Sequence, residues 1–577
     1  IQSRRLARHI MSSPAITIQE DVSCQEAGDL LTRYNINALL VLNGRNETPT
    51  GFITRQVIEK ALYHKLSHVP VREYMTTEMV SVAPDADILE VQDKIIEHKQ
   101  RILPVLDNQA IIGVVTRTDL LNILVRRKNR HPQGQNELPE MREHARTRNI
   151  SNFMKERLSP FLLNLLREIG RTASDISYNA YVVGGFVRDL FLYRPNEDID
   201  IVIEGDGIAF AKKFAKLKGA RVHAYAKFGT AVIIFKDGFK IDVASARLEY
   251  YKFPAALPVV ETSSIKLDLF RRDFTINTLA IQLNPKKFST LIDFFSAQKD
   301  IKEKVIRVLH NLSFVEDPTR VFRALRFEQR FGFTIGKLTA GLIDNAVKMD
   351  FFKRLSGRRV FTELRLILEE DNPAPAIIRL QDYNLLRVVH PSISIDNMMI
   401  SLLNSARKVI AWHDLLFLEE SYIRWSVYFM ALIRNCDRKT TQDICHRLEL
   451  APRYRKIFTR ERFQAERTLY VLEKNTRLDN STLYENLSGL RIELILYLMA
   501  GTRLKRVKRA ISNFVTNLRD VSIAITGKDL MERGLKPGPV YREIMSAVMQ
   551  ARLNGRLETR SDELTFVDEY LAGKKAE

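Results

Sequence analysis

The spacing of hydrophobic residues changes character along the chain. Up to about residue 125, stretches that alternate hydrophobic and polar positions lie between stretches with helical spacing. Strand and helix patterns continue to mix until about residue 335, and from residue 338 to the end the spacing is almost wholly helical. Asp371-Asn372-Pro373, His390-Pro391 and Pro452 interrupt this helical part. The pattern predicts a multidomain α+β protein whose second half consists of helices.

Residues 181–200 contain more groups suited to binding a ligand than the neighbouring stretches do. The apolar run 180–183 predicts a strand, and residues 187–191 open a helix that Pro195 ends. Between them, Gly184 and Gly185 give backbone that can approach an anion closely. Free N–H groups at a helix start face phosphate oxygens in many nucleotide sites. This stretch therefore predicts a nucleotide-binding turn.

Acidic residues follow the turn. Residues 197–203 predict a strand, so Asp198 and Asp200 face the same side because side chains alternate with a period of two. A predicted hairpin around residues 236–238 places Asp242 on a neighbouring strand. Paired carboxylates suit Mg²⁺ with phosphate oxygens, and three acids could hold two ions. A lone Asp-x-Asp is more often a solvated strand face, so the prediction depends on the combination.

Four motifs occur in a fixed order. They are Gly184-Gly185-x-x-Arg188-Asp189, Asp198-x-Asp200, Arg271-Arg272-Asp273-Phe274-Thr275-Ile276-Asn277 and Glu316-Asp317-x-x-Arg320. Together they resemble the bacterial class II tRNA nucleotidyltransferase and poly(A) polymerase family, over roughly residues 150 to 575. The resemblance implies a polymerase β-like nucleotidyltransferase head of mixed α/β type, followed by an all-α neck, body and tail. It also implies template-independent addition of nucleotides to an RNA 3′ end, by two-metal phosphoryl transfer that releases pyrophosphate.

The resemblance implies roles for individual residues. Asp198, Asp200 and Asp242 are the expected catalytic and metal-binding residues. The expected nucleotide-binding residues are Gly184, Gly185, Arg188, Asp189, Arg271, Arg272, Asp273, Asn277, Asp317, Arg320, Arg323 and Arg326. Residues 247–264 lack a clean period and are expected to form a mobile loop that orders the nucleotide.

The Glu316-Asp317-x-x-Arg320 motif has two interpretations. Arg320, Arg323, Arg326 and Arg330 form one basic stripe along the predicted helix. Asp317 is well placed to cap this helix before Pro318. Asp317 and Arg320, three residues apart, could instead face the Watson–Crick edge of a base, which is the family's role for the motif. Capping does not exclude base recognition, so both interpretations stay open.

The charge of the chain points to a polyanionic partner. Its 577 residues carry a net charge of +20, with a pI near 9.7, which favours nucleic acid over an acidic protein. Its basic segments, such as residues 503–509, lie where the resembled family grips the body of tRNA. No apolar run of eighteen residues and no secretory signal occur, which predicts a cytoplasmic protein with no membrane partner. Cys24, Cys436 and Cys445 lack the spacing of a zinc site or disulfide framework.

The first 125 residues contain an internal repeat. Residues 10–13 match 74–77, and residues 51–55 match 113–117, at offsets of 62 to 64. The repeat resembles a tandem cystathionine-β-synthase (CBS) domain pair, in which an Asp after the Thr-Arg segment often holds the ribose of an adenosine nucleotide. The second copy has Asp119 at this place and the first has Val57. One adenosine site at most is implied; packing or homodimerisation without a ligand is the alternative.

We predict five segments and one preferred specificity. The segments are a CBS pair (1–125), a basic linker (126–150), a catalytic head (151–298), a helical neck with the base-recognition motif (299–370) and an RNA-binding body and tail (371–577). The expected substrates are ATP, with CTP as an alternative, and the tRNA 3′ end.

Addition of the terminal A to tRNA is favoured, because a CBS pair ahead of this transferase resembles A-adding members. Some of these carry a further upstream domain, which agrees with a chain that begins at Ile1 rather than Met. Full CCA addition, CC addition and poly(A) synthesis remain alternatives. A catalytically dead, CBS-regulated RNA-binding module is the alternative from another class, and clustered carboxylates argue against it.

Overall fold

The computed structural model describes residues 6–576, except 35, 45–47, 99, 117–118, 120–145, 251–258, 263 and 419. These residues divide into two compact units between Leu355 and Ser356. The division falls inside the predicted neck. Within the described residues, no helix has both the length and the apolar character needed to cross a membrane.

The first unit begins with the predicted repeat. In the first copy, β1 (Thr17–Gln19), β2 (Ala38–Leu42) and β3 (Pro49–Thr54) form a sheet beside the helices Cys24–Arg33 and Arg55–Tyr63. The second copy has the helix Ile88–Glu97 and the hairpin of β4 (Ile102–Asp107) and β5 (Ala110–Thr116). Buried Leu40 and Phe52 of the first copy pack with Ile102 and Val114 of the second. The two copies therefore share a hydrophobic cluster.

An eight-stranded sheet forms the middle of the first unit. Its order is β6-β15-β14-β7-β8-β11-β10-β9. The strands are β6 (Arg146–Asn149), β7 (Asn179–Val183), β8 (Ile199–Glu204), β9 (Arg221–Tyr225), β10 (Thr230–Ile234), β11 (Lys240–Ser245), β14 (Ala280–Gln282) and β15 (Thr290–Asp293). The surrounding helices are Ser151–Arg157, Pro160–Ser174, Gly185–Phe191, Gly207–Lys218, Ile265–Phe270 and Ala297–Glu303. The predicted β10–β11 hairpin is confirmed.

The structure differs from three expectations in this region. The apolar spacing of residues 153–171 predicts a single helix, but the chain forms two, because Ser159 caps a new helix with Pro160 in its first turn. The predicted linker 126–150 ends in β6, whose side chains are exposed and which pairs with β15 through the backbone. The expected loop 247–264 contains an antiparallel pair, β12 (Arg247–Tyr250) and β13 (Val259–Thr262).

Part of the predicted neck lies in the first unit and follows the sheet along the chain. Its helices within the first unit are Ser313–Glu316, Thr319–Phe331 and Lys337–Lys348. The neck also contains a short parallel pair, β16 (Val305–Ile306) and β17 (Thr334–Ile335). We call Thr319–Phe331 the neck helix.

The second unit confirms the helical prediction, since no strand follows Ile335 in the described part of the chain. Its α-helices are Gly357–Leu368, Ala374–Asp382, Leu386–Val389, Asn397–Asp414, Arg424–Leu432, Arg438–Arg447, Pro452–Lys456, Arg462–Lys474, Asn480–Leu487, Ile492–Gly501, Lys505–Asn513, Gly527–Glu532, Pro539–Leu553 and Arg560–Ala576. Trp425, Phe429 and Phe458 pack together in its core, with ring centroids 4.8–6.1 Å apart. Contacts between aromatic side chains therefore form part of the core of this unit.

Candidate active site

Three carboxylates lie at one edge of the β8–β11 strand pair. These strands run parallel, and Asp200 of β8 is the register partner of Asp242 of β11. Asp198 lies just before β8, not within it as predicted, and its backbone N–H donates to Asn196 Oδ1 at 2.8 Å. Asp200 is half-buried, while Asp198 and Asp242 are exposed. We call these three residues the acidic edge.

The members of the acidic edge repel one another. Burial raises the pKa of Asp200 to about 6, and Asp198, Asp242 and Asp268 add to this effect while Arg272 opposes it. Burial and the charge of Asp198 also raise the pKa of Asp242, against the opposing Lys240. Carboxylates in such surroundings gain stability from a bound cation.

The acidic edge fits Mg²⁺ as a shared site. Within the described residues, no three His, Cys, Asp or Glu side chains form a ready-made metal-binding group. Mg²⁺ does not require one, because it usually takes one or two protein carboxylates and completes its shell with phosphate and water. The oxygen-only donors of Asp198, Asp200 and Asp242, with the raised pKa values of the latter two, agree with this mode of binding.

Gly184 forms the turn beside the acidic edge. Its φ is 72°, a conformation that favours glycine. A Cβ at this position would lie 2.7 Å from Arg272 Nη1 and 3.3 Å from Asp200 Oδ2. At Gly185 a Cβ would make only ordinary contact, 3.5 Å from Arg188 Nη2. Of the two predicted glycines, Gly184 is therefore the one whose missing side chain lets the helix Gly185–Phe191 start next to the acids.

A polar network joins the first and third motifs to Arg323 of the neck helix. Arg188 Nε donates to Asp189 Oδ1 at 2.8 Å, and its Nη1 donates to Asn277 Oδ1 at 2.7 Å. Asn277 Nδ2 donates to Asp273 Oδ1 at 2.8 Å, and Arg323 Nη2 lies 2.6 Å from Asp273 Oδ2. Although burial alone would raise the pKa of Asp273, Arg323 and Asn277 hold it well below its usual range. These five residues, all predicted to bind nucleotide, contact one another behind the acidic edge.

Asp268 is a site residue that the sequence reasoning missed. It is fully buried; its Oδ1 accepts from Arg271 Nη2 at 2.8 Å and its Oδ2 from Arg272 Nη2 at 3.2 Å. Burial alone would raise its pKa, but the two guanidinium groups hold the pKa below the usual range. The signal was present, because Asp268 precedes the two arginines by three and four residues on a helical turn. Asp268 thus fixes both arginines beside the acidic edge.

The neck helix supports the capping interpretation of Asp317. Asp317 Oδ1 accepts hydrogen bonds from Thr319 N at 3.0 Å and Thr319 Oγ1 at 2.6 Å. Arg320 Nη1 donates to Ser313 Oγ at 2.7 Å, and its Nη2 donates to the Arg271 carbonyl at 2.9 Å. Arg320 and Arg326 are buried, so the predicted basic stripe is not a uniformly exposed face. Arg320 connects the third and fourth motifs.

The other predicted site residues lie on separate elements. Asp119 follows β5, and its Oδ2 accepts from Thr116 N at 2.8 Å and Thr116 Oγ1 at 2.7 Å. In the basic segment 503–509, Arg506 donates to the carbonyls of Leu472, Glu473 and Asn475 at the end of the helix Arg462–Lys474. Arg503, Lys505 and Arg509 remain exposed. One of the predicted RNA-facing charges is therefore used to cap a helix.

Family models match three parts of the chain. A model described as "Poly A polymerase head domain" matches residues 180–307. The CBS domain model matches residues 7–64 and 71–126, which confirms the predicted pair. A model described as "Probable RNA and SrmB- binding site of polymerase A" matches residues 332–396.

Similar proteins are A-adding tRNA nucleotidyltransferases. The chain is 47% identical to that of Geobacter sulfurreducens over 97% of its own length, and 32% identical to that of Aquifex aeolicus over 94%. It spans 64% of the length of each of these two relatives. A third, from Halalkalibacterium halodurans, is 30% identical, with 76% of this chain and 99% of that protein covered.

Solved structures of CCA-adding enzymes resemble the fold. An apo form is 34% identical with a TM-score of 0.61, covering 74% of this chain and 99% of that one. The Thermotoga maritima enzyme complexed with tRNA is 33% identical with a TM-score of 0.58, at the same coverage. A complex of a CCA-adding enzyme with ATP is 34% identical with a TM-score of 0.58, covering 75% and 98%. With its four ordered motifs, the chain belongs to the tRNA nucleotidyltransferase and poly(A) polymerase family.

Proposed function

We propose that this protein adds AMP to the 3′ end of a tRNA that ends in CC, and that it releases pyrophosphate. The observation that carries the proposal is the acidic edge, where Asp200 and Asp242 are register partners beside two arginines held by Asp268. Phosphoryl transfer needs this combination of carboxylates and nearby positive charge. The three A-adding relatives support the choice of nucleotide.

The proposed reaction forms one bond and breaks another. The terminal ribose 3′-oxygen attacks the α-phosphorus of ATP, the bond from that phosphorus to the pyrophosphate oxygen breaks, and pyrophosphate leaves. Asp242 accepts the hydroxyl proton, and Arg271 and Arg272 place positive charge near the triphosphate. Mg²⁺ bound at Asp198, Asp200 and Asp242 would supply charge neutralisation and a lower pKa for the attacking hydroxyl. Asp200 remains ionised at neutral pH because its raised pKa lies near 6.

The expected partners follow from this reaction. They are ATP, Mg²⁺ and the tRNA 3′ end, and a cytoplasmic location would give access to all three. The ATP- and tRNA-bound relatives support the nucleotide and RNA partners. Full CCA addition is the second candidate function, because the solved relatives are named CCA-adding enzymes. CC addition and poly(A) synthesis are less well supported.

The deciding experiment supplies three tRNAs, ending before CCA, after C and after CC, with labelled ATP or CTP given separately. We expect incorporation of AMP into the CC-ending tRNA alone. CMP incorporation into the shortest tRNA would establish CCA or CC addition instead. Long ladders of adenylate on any RNA would establish poly(A) synthesis, and no incorporation with any substrate would favour the RNA-binding module.

The CBS pair is proposed to bind an adenosine nucleotide through Asp119, with homodimerisation through the pair as a further expectation. The support is local, since the Asp119 carboxylate is fixed next to Thr116 at the end of β5. Calorimetric titration of the whole chain with AMP should give binding heat that the Asp119→Ala variant loses. Equal heat in both proteins would assign the pair to packing or dimerisation, and sedimentation would test the dimer directly.

A further inference from the structure

The start of the second CBS repeat, at residues 73–76, is hydrogen-bonded to the neck. Asn311 Nδ2 donates to the Tyr74 carbonyl and lies 3.3 Å from Thr76 Oγ1. Asn345 Nδ2 donates to the Glu73 carbonyl at 3.2 Å. These contacts hold the repeat against the segment that carries the fourth motif.

An ion pair lies in the same interface. Lys60, on the helix Arg55–Tyr63, places Nζ 2.7 Å from Glu316 Oε1. The other oxygen, Glu316 Oε2, lies 3.1 Å from His310 Nε2. Both oxygens of this buried carboxylate therefore have a partner, and one partner comes from the CBS pair.

Lys60 supplies the positive charge of this cluster. Burial lowers the pKa of His310, although Glu316 opposes the effect, and this favours the neutral imidazole. Burial alone would raise the pKa of Glu316, but His310 and Lys60 hold it well below its usual range. A buried carboxylate that loses its cation either becomes protonated or moves toward water.

Glu316 is the first residue of the fourth motif. It ends the four-residue helix Ser313–Glu316, and the next residue is Asp317, which caps the neck helix. The other end of the short helix is fixed where Ser313 Oγ accepts from Arg320 at 2.7 Å. A displacement of Glu316 would therefore move Asp317 and, through Ser313, Arg320.

We propose that Lys60 is a positioning residue for nucleotide selection, because it holds Glu316 and thereby fixes Asp317 and Arg320. The inference rests on the proposed function and adds a residue from outside the catalytic head. It makes the first CBS repeat a structural part of the nucleotide site. A ligand or partner that shifts the helix Arg55–Tyr63 would then change nucleotide affinity.

The test compares Lys60→Met with Lys65→Met. Lys65 is exposed and lies just beyond the same helix, so its variant removes an equal charge without touching Glu316. In steady-state AMP incorporation, Lys60→Met should raise the KM for ATP about tenfold and lower the preference for ATP over CTP. It should leave kcat within about twofold and the KM for tRNA unchanged, since only nucleotide binding is disturbed. Lys60→Arg keeps the charge and should restore the KM for ATP.

Hydrogen exchange gives a readout that does not depend on turnover. The backbone amides of residues 313–317 and 319–321 should exchange faster in Lys60→Met than in wild type or Lys65→Met, and Lys60→Gln should lie between the Met and Arg variants. An unchanged KM for ATP, an equal effect in Lys65→Met, or unchanged exchange would each overturn the inference. If the wild type incorporates no nucleotide, the proposed function fails, and the exchange result still decides whether Lys60 fixes this segment. Melting curves identify any variant that fails to fold, and the Arg and Gln variants then carry the test.

Discussion

Four aspartates at the candidate active site fall into two groups with opposite electrostatics. At the acidic edge, burial and neighbouring carboxylates raise the pKa values of Asp200 and Asp242. Behind it, arginines hold the pKa values of Asp268 and Asp273 below their usual range. The partners decide the role of each aspartate: those neutralised inside the protein fix its shape, and the others are available to a metal ion and its substrate.

Removal of a carboxylate from the acidic edge should have the largest effect on activity. We expect Asp200→Ala to lower AMP incorporation by at least about a thousandfold, since it removes a charge needed in the transition state. Single-turnover incorporation at saturating Mg²⁺ measures the loss. Glu197→Ala, an exposed neighbour, is the matched control and should remain within about twofold of wild type. Full activity of Asp200→Ala would refute the assignment of the acidic edge.

A change in the second group should affect stability instead. Asp273→Asn leaves Arg323 without its carboxylate partner, which should lower the free energy of unfolding by about 2–3 kcal/mol. Because the folded-state pKa of Asp273 is depressed, its contribution is present above about pH 4 and is lost as the pH falls further. Thermal melts should therefore show the largest gap between wild type and variant at pH 7, and a gap that shrinks progressively as the pH is lowered below about 4. Asp237→Asn is the control, because Asp237 is exposed in the β10–β11 turn. A gap between wild type and Asp273→Asn that does not depend on pH would contradict the stabilising role of ionised Asp273.

The first group makes the opposite prediction for stability. The pKa of Asp200 is raised to about 6, so the ionised form of Asp200 destabilises the metal-free fold. This loss of stability grows as the pH rises from about 4 to 6 and reaches its full size above pH 6. Asp200→Asn should therefore stabilise the metal-free protein by about 2 kcal/mol at pH 7.5 and by almost nothing below pH 4. Melts in a chelator measure this, and added Mg²⁺ should stabilise the wild type more than the variant. A less stable Asn variant at pH 7.5 would remove the distinction between the two groups.

Arg506 and Arg509 can be compared in the same way, and we expect their substitutions to have smaller effects than those of the aspartates. Arg509 is exposed, whereas Arg506 caps a helix, so only Arg509→Gln should reduce the salt dependence of tRNA binding, with a slope smaller by about one. The expected loss of affinity is a few-fold, measured by filter binding at several ionic strengths. Arg506→Gln should lower the melting temperature instead. Binding of tRNA by the wild type that hardly changes with salt would leave the excess positive charge unexplained.

Local patterns made much of the site predictable. The strand, turn and helix around Gly184 and the hairpin that carries Asp242 each lie within a short segment with a clear period. The break at Pro160 was also readable, because Ser159 and Pro160 are a helix start that the continuous apolar spacing obscured. Strand β6 was not predictable in this way, since its Arg-Thr-Arg-Asn sequence carries no alternation and it forms through backbone pairing at a sheet edge.

The parts of the site that the sequence did not predict depend mostly on contacts between distant segments. Arg188 and Asn277 are 89 positions apart, and Lys60 and Glu316 are 256 apart. Residue types alone could not tell whether Arg188 contacts a phosphate or an asparagine, because either partner satisfies the same guanidinium donors. Asp268 shows the opposite situation, since its partners are three and four residues away and could have been found.

The parallel pairing of β8 and β11 sets the spacing of the acidic edge. Neighbouring strands lie about 4.8 Å apart, which is close to the roughly 3.5–4 Å between the ions of two-metal sites. The distance between Asp200 and Asp242 is therefore determined by backbone hydrogen bonds, which most substitutions leave intact. A single residue inserted into either strand would turn one carboxylate to the opposite face of the sheet. We therefore expect the geometry of the site to survive exchanged side chains within β8 and β11 and to be lost when the length of either strand changes.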